Sequence, residues 1–419
     1  MRKLFRILLV LIVASFVCSC NKGRNLPRVS LCYDTITSDF LPGYFALQDD
    51  EGNNIACEAD IRRRGSYSLR FDKPSFSIKL NEPSGGKYNV PLLGMRSDNY
   101  WVLDGMASDK SRMRNMVSMR LWKECSRKPW YADKEQDCKN YVSGRFVELF
   151  INDQPYGIYC LTERIDRKQL SLRKHLISDG TSGGKLYKGV QWSESTLYQS
   201  LPPDLYNIPE EKHRGWEIKY PKQATTVDWQ PLDELFIFMT CSDSATFVSQ
   251  ISERLDLPVF IDYFLLCNLI SARDNTGKNL CISFYDIDAS PRALVTPWDM
   301  DHSWGRTFSG TEEPPDHILF TDYGVYPRLF SCCPWFRQMV CERWKTLRQG
   351  PFSKEHIDAL FSEYFTLFLT TGMAEKEENL WSGRNGIVLD FECEQHYISE
   401  WTERRLAFLD SIFADPARP

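Results

Sequence analysis

The chain changes along its length from short alternating segments to long helical ones. Between Arg28 and about Leu80, short runs of alternating apolar and polar residues are bounded by turn residues, which predicts β-strands. A hairpin is predicted at residues 144–166, where two alternating runs flank the turn at 152–157. From Arg328 onward the apolar spacing is helical. Strands first and helices last indicate an α+β protein rather than regular βαβ units.

The middle of the chain mixes both kinds of element. Helical spacing predicts helices at residues 109–125, 233–251 and 258–271, and a short helix at residues 166–178. The segments KLYKGV and GWEIKYP predict two more strands. After Gly305 a loop rich in Gly and Pro is predicted, which holds Thr307 to Pro327, and a loop of that length is usually functional or mobile.

The stretch from residue 258 to residue 305 brings several polar residues to the ends of predicted elements. An apolar helix leads into a polar loop with Asp274 and Asn279, and a strand, a turn and a second strand ending at Asp299 and Asp301 follow. Catalytic groups are commonly presented where rigid elements end. In an extended strand Asp299 and Asp301 would point to the same face and could share a cation such as magnesium, manganese or calcium.

The spacing of Asp274 and Asn279 is typical of phosphoryl transfer. In that reaction one Asp orients the acceptor hydroxyl, and an Asn with a second Asp holds magnesium against the phosphates. Protein kinases use an Asp and an Asn at this separation, followed by a strand and a metal-binding Asp. A turn rich in Asp, Asn and Gly would also explain the loop, and on spacing alone it is the better explanation.

The first 19 residues predict export. Three basic residues precede the apolar run LLVLIVASFV, which is the pattern of a secretory signal and is short for a membrane span. The run ends in a sequence that resembles a bacterial lipobox with Cys20 as the lipidated residue, and residues 20–27 would be a tether. A plain signal peptide without lipid is the alternative.

Charge and cysteine content narrow the function classes. Without residues 1–19 the formal net charge is −8, which argues against a general nucleic-acid-binding protein. An exported chain can form disulfides, and Cys125 and Cys138, which flank a charged loop, are a candidate pair among the 14 cysteines. No CxxC pair occurs, which disfavours a zinc ribbon.

Basic residues cluster around one predicted strand of the β-rich part. Three consecutive arginines, residues 62–64, end one strand, and Lys73 and Lys79 bracket the next. A basic side chain at this place could reach nucleotide phosphates. Solvated strand ends are the alternative for at least some of them.

Five sequence blocks follow one another between about residues 60 and 305. They are IRRRGSYSLRFDKPSFSIKL, YWVLDGMASDKSRMRNMVSMRLW, FVELFINDQPYGIYCLTERID, EIKYPK, and the paired segments ARDNTGKN and PWDMDHSWG. Together they resemble the CotH family of bacterial spore-coat-type protein kinases. The resemblance implies a two-lobed atypical protein-kinase-like fold over residues 28–419. It implies a β-rich nucleotide lobe at 28–220, and a helical lobe with catalytic and metal loops at 221–419.

The resemblance also implies residue roles. Asp274 would be the catalytic aspartate, and Asn279 and Asp299 would hold the metal with Asp301 assisting. The implied cofactors are ATP and Mg²⁺, with Mn²⁺ as an alternative metal. The implied acceptor is Ser or Thr of a secreted or surface protein.

Four residues of the β-rich part would serve the nucleotide. By the same resemblance, Lys73 is the first candidate for the phosphates and Lys79 the second, with Arg64 nearby. Glu163 would lie near the nucleotide or pair with the lysine.

Two other functions stay open. A catalytically silent, kinase-like surface lipoprotein could act as a binding or structural module, because ATP is scarce outside the cytoplasm. Another nucleotide-dependent protein modification, such as adenylate transfer, could use the same site. The expected partners are a protein acceptor and a membrane reached through the lipid anchor, without nucleic acid, and the expected location is the cell envelope at the outer membrane.

Overall fold

The computed structural model describes residues 25–176, 180–199, 212–222 and 228–414. The predicted signal segment 1–19 and the predicted lipid site Cys20 lie outside these ranges. Across the described ranges, none of the helices combines the length with the apolar content needed to cross a membrane.

Strands dominate the described residues from 25 to 162. They are β1 (Arg28–Cys32), β2 (Leu41–Gln48), β3 (Asn54–Arg64), β4 (Ser75–Asn81), β5 (Val90–Pro91), β6 (Ser97–Asp98), β7 (Tyr100–Asp104), β8 (Gly144–Ile151) and β9 (Gln154–Thr162). Seven of them close into a barrel in the order β1-β2-β3-β4-β7-β9-β8, which leaves no open sheet edge. All barrel pairs are antiparallel except β1 with β8.

Along the barrel strands, successive side chains alternate between the barrel core and the outer face. In β4, Phe76, Ile78 and Leu80 are fully buried in the barrel core. Ser77 and Lys79 therefore lie on the outer face, because successive side chains of a strand point to opposite sides. The predicted hairpin at 144–166 is confirmed as β8 and β9.

A second sheet has five antiparallel strands in the order β11-β12-β10-β13-β14. They are β10 (Lys185–Gly189), β11 (Lys212–His213), β12 (Trp216–Tyr220), β13 (Leu280–Phe284) and β14 (Ala293–Pro297). The pairing of β10 with β13 joins the two predicted lobes, 28–220 and 221–419, in one sheet. Sequence pattern could not reveal this pairing because it links distant segments.

Helices make up most of the chain from residue 230 onward. The helices are α1 (Arg114–Cys125), α2 (Gln230–Cys241), α3 (Ser244–Arg254), α4 (Leu257–Ile270), α5 (Tyr326–Cys332), α6 (Pro334–Arg348), α7 (Lys354–Thr370), α8 (Met373–Trp381) and α9 (Phe391–Phe413). Helix α4 is buried on every side, as expected for a helix that is apolar all round. The predicted α+β order, β-rich first and helical last, is confirmed.

Three predicted helices differ from the structure. The single helix predicted at 233–251 is two helices, because the Asp243 carboxylate accepts hydrogen bonds from backbone amides in the first turn of α3 and so starts a new helix. The helix predicted from residue 109 begins at Arg114, after a loop. The described part of the short helix predicted at 166–178 forms turns.

The candidate disulfide is wrong. Cys125 and Cys138 are both free thiols. The Cys125 thiol lies 3.8 Å from the backbone oxygen of Trp122, and the Cys138 thiol lies 3.4 Å from that of Leu170. Flanking a charged loop did not bring the two side chains together.

Candidate active site

Helix α4 delivers the polar loop to the site. After the helix, one turn of 3-10 helix (Arg273–Thr276) carries Asp274. The side-chain amide of Asn275 donates to the backbone oxygens of Asn279 at 2.8 Å and Trp298 at 2.9 Å. This buried amide, which the sequence reasoning missed, ties the loop to the chain just after β14.

The Asp274 carboxylate is held ionised. Its Oδ2 lies 2.8 Å from Lys278 Nζ and 3.2 Å from His302 Nδ1. Burial raises the pKa of Asp274, but the hydrogen bonds from His302 and Lys278 outweigh burial and lower the pKa to about 2. With 18% of its side chain exposed, Asp274 is a charged hydrogen-bond acceptor that a ligand can reach at neutral pH.

Asp299 and Asp301 follow β14 instead of lying in it. The strand ends at Pro297, and Asp299 has a φ of +57°, so the expectation that the two acids share one face of an extended strand is wrong. Asn279 is also left-handed, with a φ of +56°, and its side-chain amide donates to the backbone oxygen of Asp299 at 3.3 Å. Such backbone strain in non-glycine residues is concentrated at functional sites.

Ser108 and His302 hold the Asp301 carboxylate. Ser108 Oγ donates to Asp301 Oδ2 at 3.0 Å, and His302 Nε2 lies 3.3 Å from the same oxygen. Burial raises the pKa of Asp301, and two neighbouring carboxylates add to the rise against the pull of His302. Burial lowers the pKa of His302, but the carboxylates on both sides outweigh it and raise the pKa above its ordinary value.

Asp104 and Asn115 also belong to this site, although the sequence analysis assigned no role to either. Asp104 ends β7, and its carboxylate accepts hydrogen bonds from Ser75 Oγ at 3.2 Å and Asn115 Nδ2 at 3.3 Å. Burial, together with the charge of Asp299, raises the pKa of Asp104. Its place at the end of an apolar strand was the signal that could have identified it.

A cavity of about 510 Å³ lies between the barrel and the five-stranded sheet. The outer faces of β3, β4 and β7 form one wall, and β10, β12 and β13 form the other. Seven basic side chains and two acidic ones line it, namely Arg62, Arg64, Lys79, Arg164, Lys188, Lys219 and Lys222 with Asp166 and Glu217. This excess of positive charge suits an anion that carries several charges.

Trp298 connects the cavity with the acidic residues. The Arg64 guanidinium lies 5.8 Å and Lys188 Nζ 5.6 Å from the centre of its ring. Burial lowers the pKa of Lys188 to about 8, against the opposing pull of Asp299. Lys79 is on the same cavity wall as Arg64, with its ammonium 3.9 Å from the ring centre of Phe40.

Lys73 lies away from the cavity. Its side chain is 2% exposed, forms an ion pair with Glu377 of α8 and donates to the backbone oxygen of Ile158 at 2.6 Å. The residue precedes β4, so the alternation that places Lys79 on the cavity wall does not extend to it. The structure thus separates two lysines that the sequence had grouped together.

Glu163 is not the carboxylate that pairs with Lys73. It accepts hydrogen bonds from the backbone amides of Arg96 at 2.9 Å and Ser143 at 2.8 Å, and from the Gln169 side chain at 3.0 Å. Glu163 is buried and holds three chain segments together.

The oxygen donors of the site have the chemistry that magnesium prefers. Within the described ranges, no three His, Cys, Asp or Glu side chains are grouped so that they could hold a metal ion alone. Magnesium usually takes one or two carboxylates together with phosphate oxygens and water. Asn279, Asp299 and Asp301 fit that shared arrangement, and the repulsion between Asp301 and its neighbouring acids is what a cation would relieve.

Comparison with known proteins identifies the family of the chain. The family model described as CotH kinase protein matches residues 61–409, which include all the acids above and reach into α9. The inner spore coat protein H of Bacillus subtilis (strain 168) is 23% identical over 307 residues, which cover 73% of this chain and 75% of that protein. The match extends well past residue 305, where the five sequence blocks end. The chain belongs to the CotH kinase protein family.

Proposed function

We propose that this protein transfers the γ-phosphoryl group of ATP, with Mg²⁺, to Ser or Thr of an exported or surface protein. Membership of the CotH kinase family suggests a kinase-like role. The observation that carries the proposal is one juxtaposition. The ionised Asp274 contacts His302, and the Asn279 amide contacts the backbone of Asp299. The charge of Asp299 acts on Lys188 in the wall of a cavity with seven basic side chains.

The cavity would bind the nucleotide phosphates. Arg64 and Lys188 lie over Trp298, next to Asp299, and Lys79 is on the same wall. Positively charged groups fixed at this place stabilise negative charge that spreads over the phosphoryl oxygens in the transition state. Asn279 and Asp299 would hold the magnesium, which supplies charge neutralisation between the phosphates when it is bound.

Asp274 would orient the acceptor. Its carboxylate accepts a hydrogen bond from the Ser or Thr hydroxyl and directs that oxygen at the γ-phosphorus. The bond from phosphorus to the bridging oxygen breaks, the bond to the acceptor oxygen forms, ADP leaves, and the hydroxyl proton passes to solvent. A pKa of about 2 suits orientation better than early proton removal, as expected for a loose transition state.

Replacing Asp274 tests this role. Asp274→Asn keeps the shape but loses the charge, and we expect phosphoryl transfer to fall by about 10²–10⁴-fold while ATP binding is kept. The measurement is transfer from radiolabelled ATP to a Ser/Thr peptide array, with the exposed Asp316→Asn as matched control. Full activity of Asp274→Asn would contradict the assignment. The mass of a modified peptide separates phosphate transfer from adenylate transfer.

We also propose that Cys20 carries a lipid that anchors the protein at the cell envelope. The proposal rests on the lipobox-like sequence and fits the spore-coat relative, whose name indicates a surface layer. Cys20→Ser should move the protein from the membrane fraction to the soluble fraction of the exported material. An unchanged distribution would contradict lipidation.

A further inference from the structure

The loop of residues 105–113, between β7 and α1, brings one serine to the acidic site. Ser108 Oγ lies 3.0 Å from Asp301 Oδ2 and 3.2 Å from His302 Nε2, and the residue is 8% exposed. A hydroxyl can donate to a carboxylate and accept from a protonated imidazole at the same time. Ser108 therefore fixes the relative orientation of two side chains that flank the proposed metal and acceptor positions.

Arg112 shapes this loop from within. Its Nη1 donates to the backbone oxygens of Met106 at 2.8 Å, Ala107 at 2.9 Å and Asp109 at 2.8 Å. These three carbonyl groups surround Ser108 in the chain. Met106 and Arg112 have φ angles of +48° and +58°, a costly backbone conformation that needs such support.

Glu377 of α8 holds Arg112 in turn. Its Oε1 accepts from Arg112 Nε at 2.7 Å and from Lys73, and its Oε2 accepts from the Ile158 amide at 2.7 Å. Glu377 is fully buried, and Gly157 leaves room for it, since a Cβ there would clash with the carboxylate. One buried carboxylate thus counters two buried cations.

Glu394 of α9 holds the other end of the loop. It forms ion pairs with Arg114 and Arg306, and Arg114 donates to the Asp109 carboxylate at 2.7 Å. Arg114 Nε also donates to the backbone oxygen of Ser303, next to His302, at 3.0 Å. The two C-terminal helices therefore reach the acidic site through buried charges.

We propose that Ser108 is a positioning residue for Asp301 and His302, and that Glu377 sets its position through Arg112. The inference rests on the proposed phosphoryl transfer, which depends on the orientation of Asp301. In this view α8 serves the catalytic geometry as well as the core.

Magnesium dependence of transfer tests the role of Ser108. Ser108→Ala should raise the Mg²⁺ concentration for half-maximal transfer at saturating ATP by about fivefold to tenfold, because Asp301 loses a hydrogen bond that orients it. Ser108→Thr, which keeps the hydroxyl, should restore it to within about twofold, and the remote Ser249→Ala should match the wild type. An unchanged magnesium requirement in Ser108→Ala overturns the proposal.

A double-mutant cycle tests the route from Glu377. Glu377→Gln should raise the magnesium requirement as well. Combining it with Ser108→Ala should raise that requirement little further, because both changes act on the orientation of Asp301. Purely additive effects would show that Glu377 acts independently of Ser108. If Glu377→Gln does not fold, Arg112→Lys takes its place in the cycle. The control is Glu375→Gln, because Glu375 is exposed on the same helix as Glu377.

Hydrogen exchange gives a readout that needs no nucleotide. In Glu377→Gln or Arg112→Lys, the amides of residues 105–113 should exchange at least about tenfold faster, while the remote turn at residues 49–53 should not change. Unchanged exchange in the loop overturns the role of Glu377 even if the protein proves not to be a kinase. Conversely, if the protein does not transfer phosphate but the variants show the faster exchange, the proposed function is contradicted, while the link from Glu377 to the loop of residues 105–113 is supported.

Discussion

Lys73 and Lys79 bracket the same strand, yet they occupy opposite environments. Lys73 is 2% exposed in a closed network where Glu377 counters both Lys73 and Arg112. Lys79 is partly exposed on the wall of a cavity where basic side chains outnumber acidic ones seven to two. An accessible excess of charge, and not the presence of a lysine, is what marks a site for an anionic ligand.

The closed network should matter most for stability. Glu377→Ala would leave two buried cations without their carboxylate, and we expect the free energy of unfolding to fall by about 3–5 kcal/mol. Urea unfolding measures this loss. The exposed Glu375→Ala should change stability by less than about 0.5 kcal/mol. A similar small effect of Glu377→Ala would remove the distinction between the two regions.

The cavity should matter most for ligand binding. Lys79→Met removes one positive charge from the wall, and we expect ATP–Mg²⁺ affinity to fall by about tenfold, or about 1.4 kcal/mol, with little change in stability. Lys73→Met should leave the affinity within about twofold, because its ammonium is directed at Glu377. Calorimetry measures the ATP–Mg²⁺ affinity of both variants. A larger loss of affinity in Lys73→Met than in Lys79→Met would contradict the assignment of the two lysines.

The pH dependence of stability should report on the burial of Lys73. Burial lowers the pKa of Lys73 from its ordinary 10.5 to about 7, against the opposing pull of Glu377. Between these values the unfolded chain keeps a proton that the folded protein has released. Stability therefore rises with pH from about 7 toward 10, by up to about 1.4 kcal/mol per pH unit.

Lys73→Met should lose this rise. The difference in unfolding free energy between wild type and variant should then shift in favour of the wild type as pH increases above about 7. Parallel stability curves over that range would show that Lys73 keeps its proton in the folded state.

Short-range pattern predicted much of the architecture. Alternation identified the β8–β9 hairpin, and the apolar run from residue 258 identified α4, because both patterns depend on neighbouring residues alone. Of the acids at the ends of predicted elements, Asp299 interacts electrostatically with Lys188 of the cavity wall, and Asp274 contacts His302. Their roles remain predictions.

Long-range contacts limited the rest. The sequence could not separate Lys73 from Lys79, because the partner of Lys73 is Glu377, in a helix at the far end of the chain. Lys188 was missed because its place on the cavity wall depends on the pairing of β10 with β13. The left-handed backbone at Asp299 was likewise not predicted, because the alternation of a strand does not report the φ angle of residues that follow it.

The most direct measurement is ATP binding with and without Mg²⁺, for the wild type and Asp299→Ala. The wild type should bind ATP more tightly when magnesium is present, and Asp299→Ala should lose the magnesium-dependent part of the affinity and all detectable phosphoryl transfer. A wild type that does not bind ATP, or an Asp299→Ala variant that keeps the magnesium effect, would contradict the proposed site.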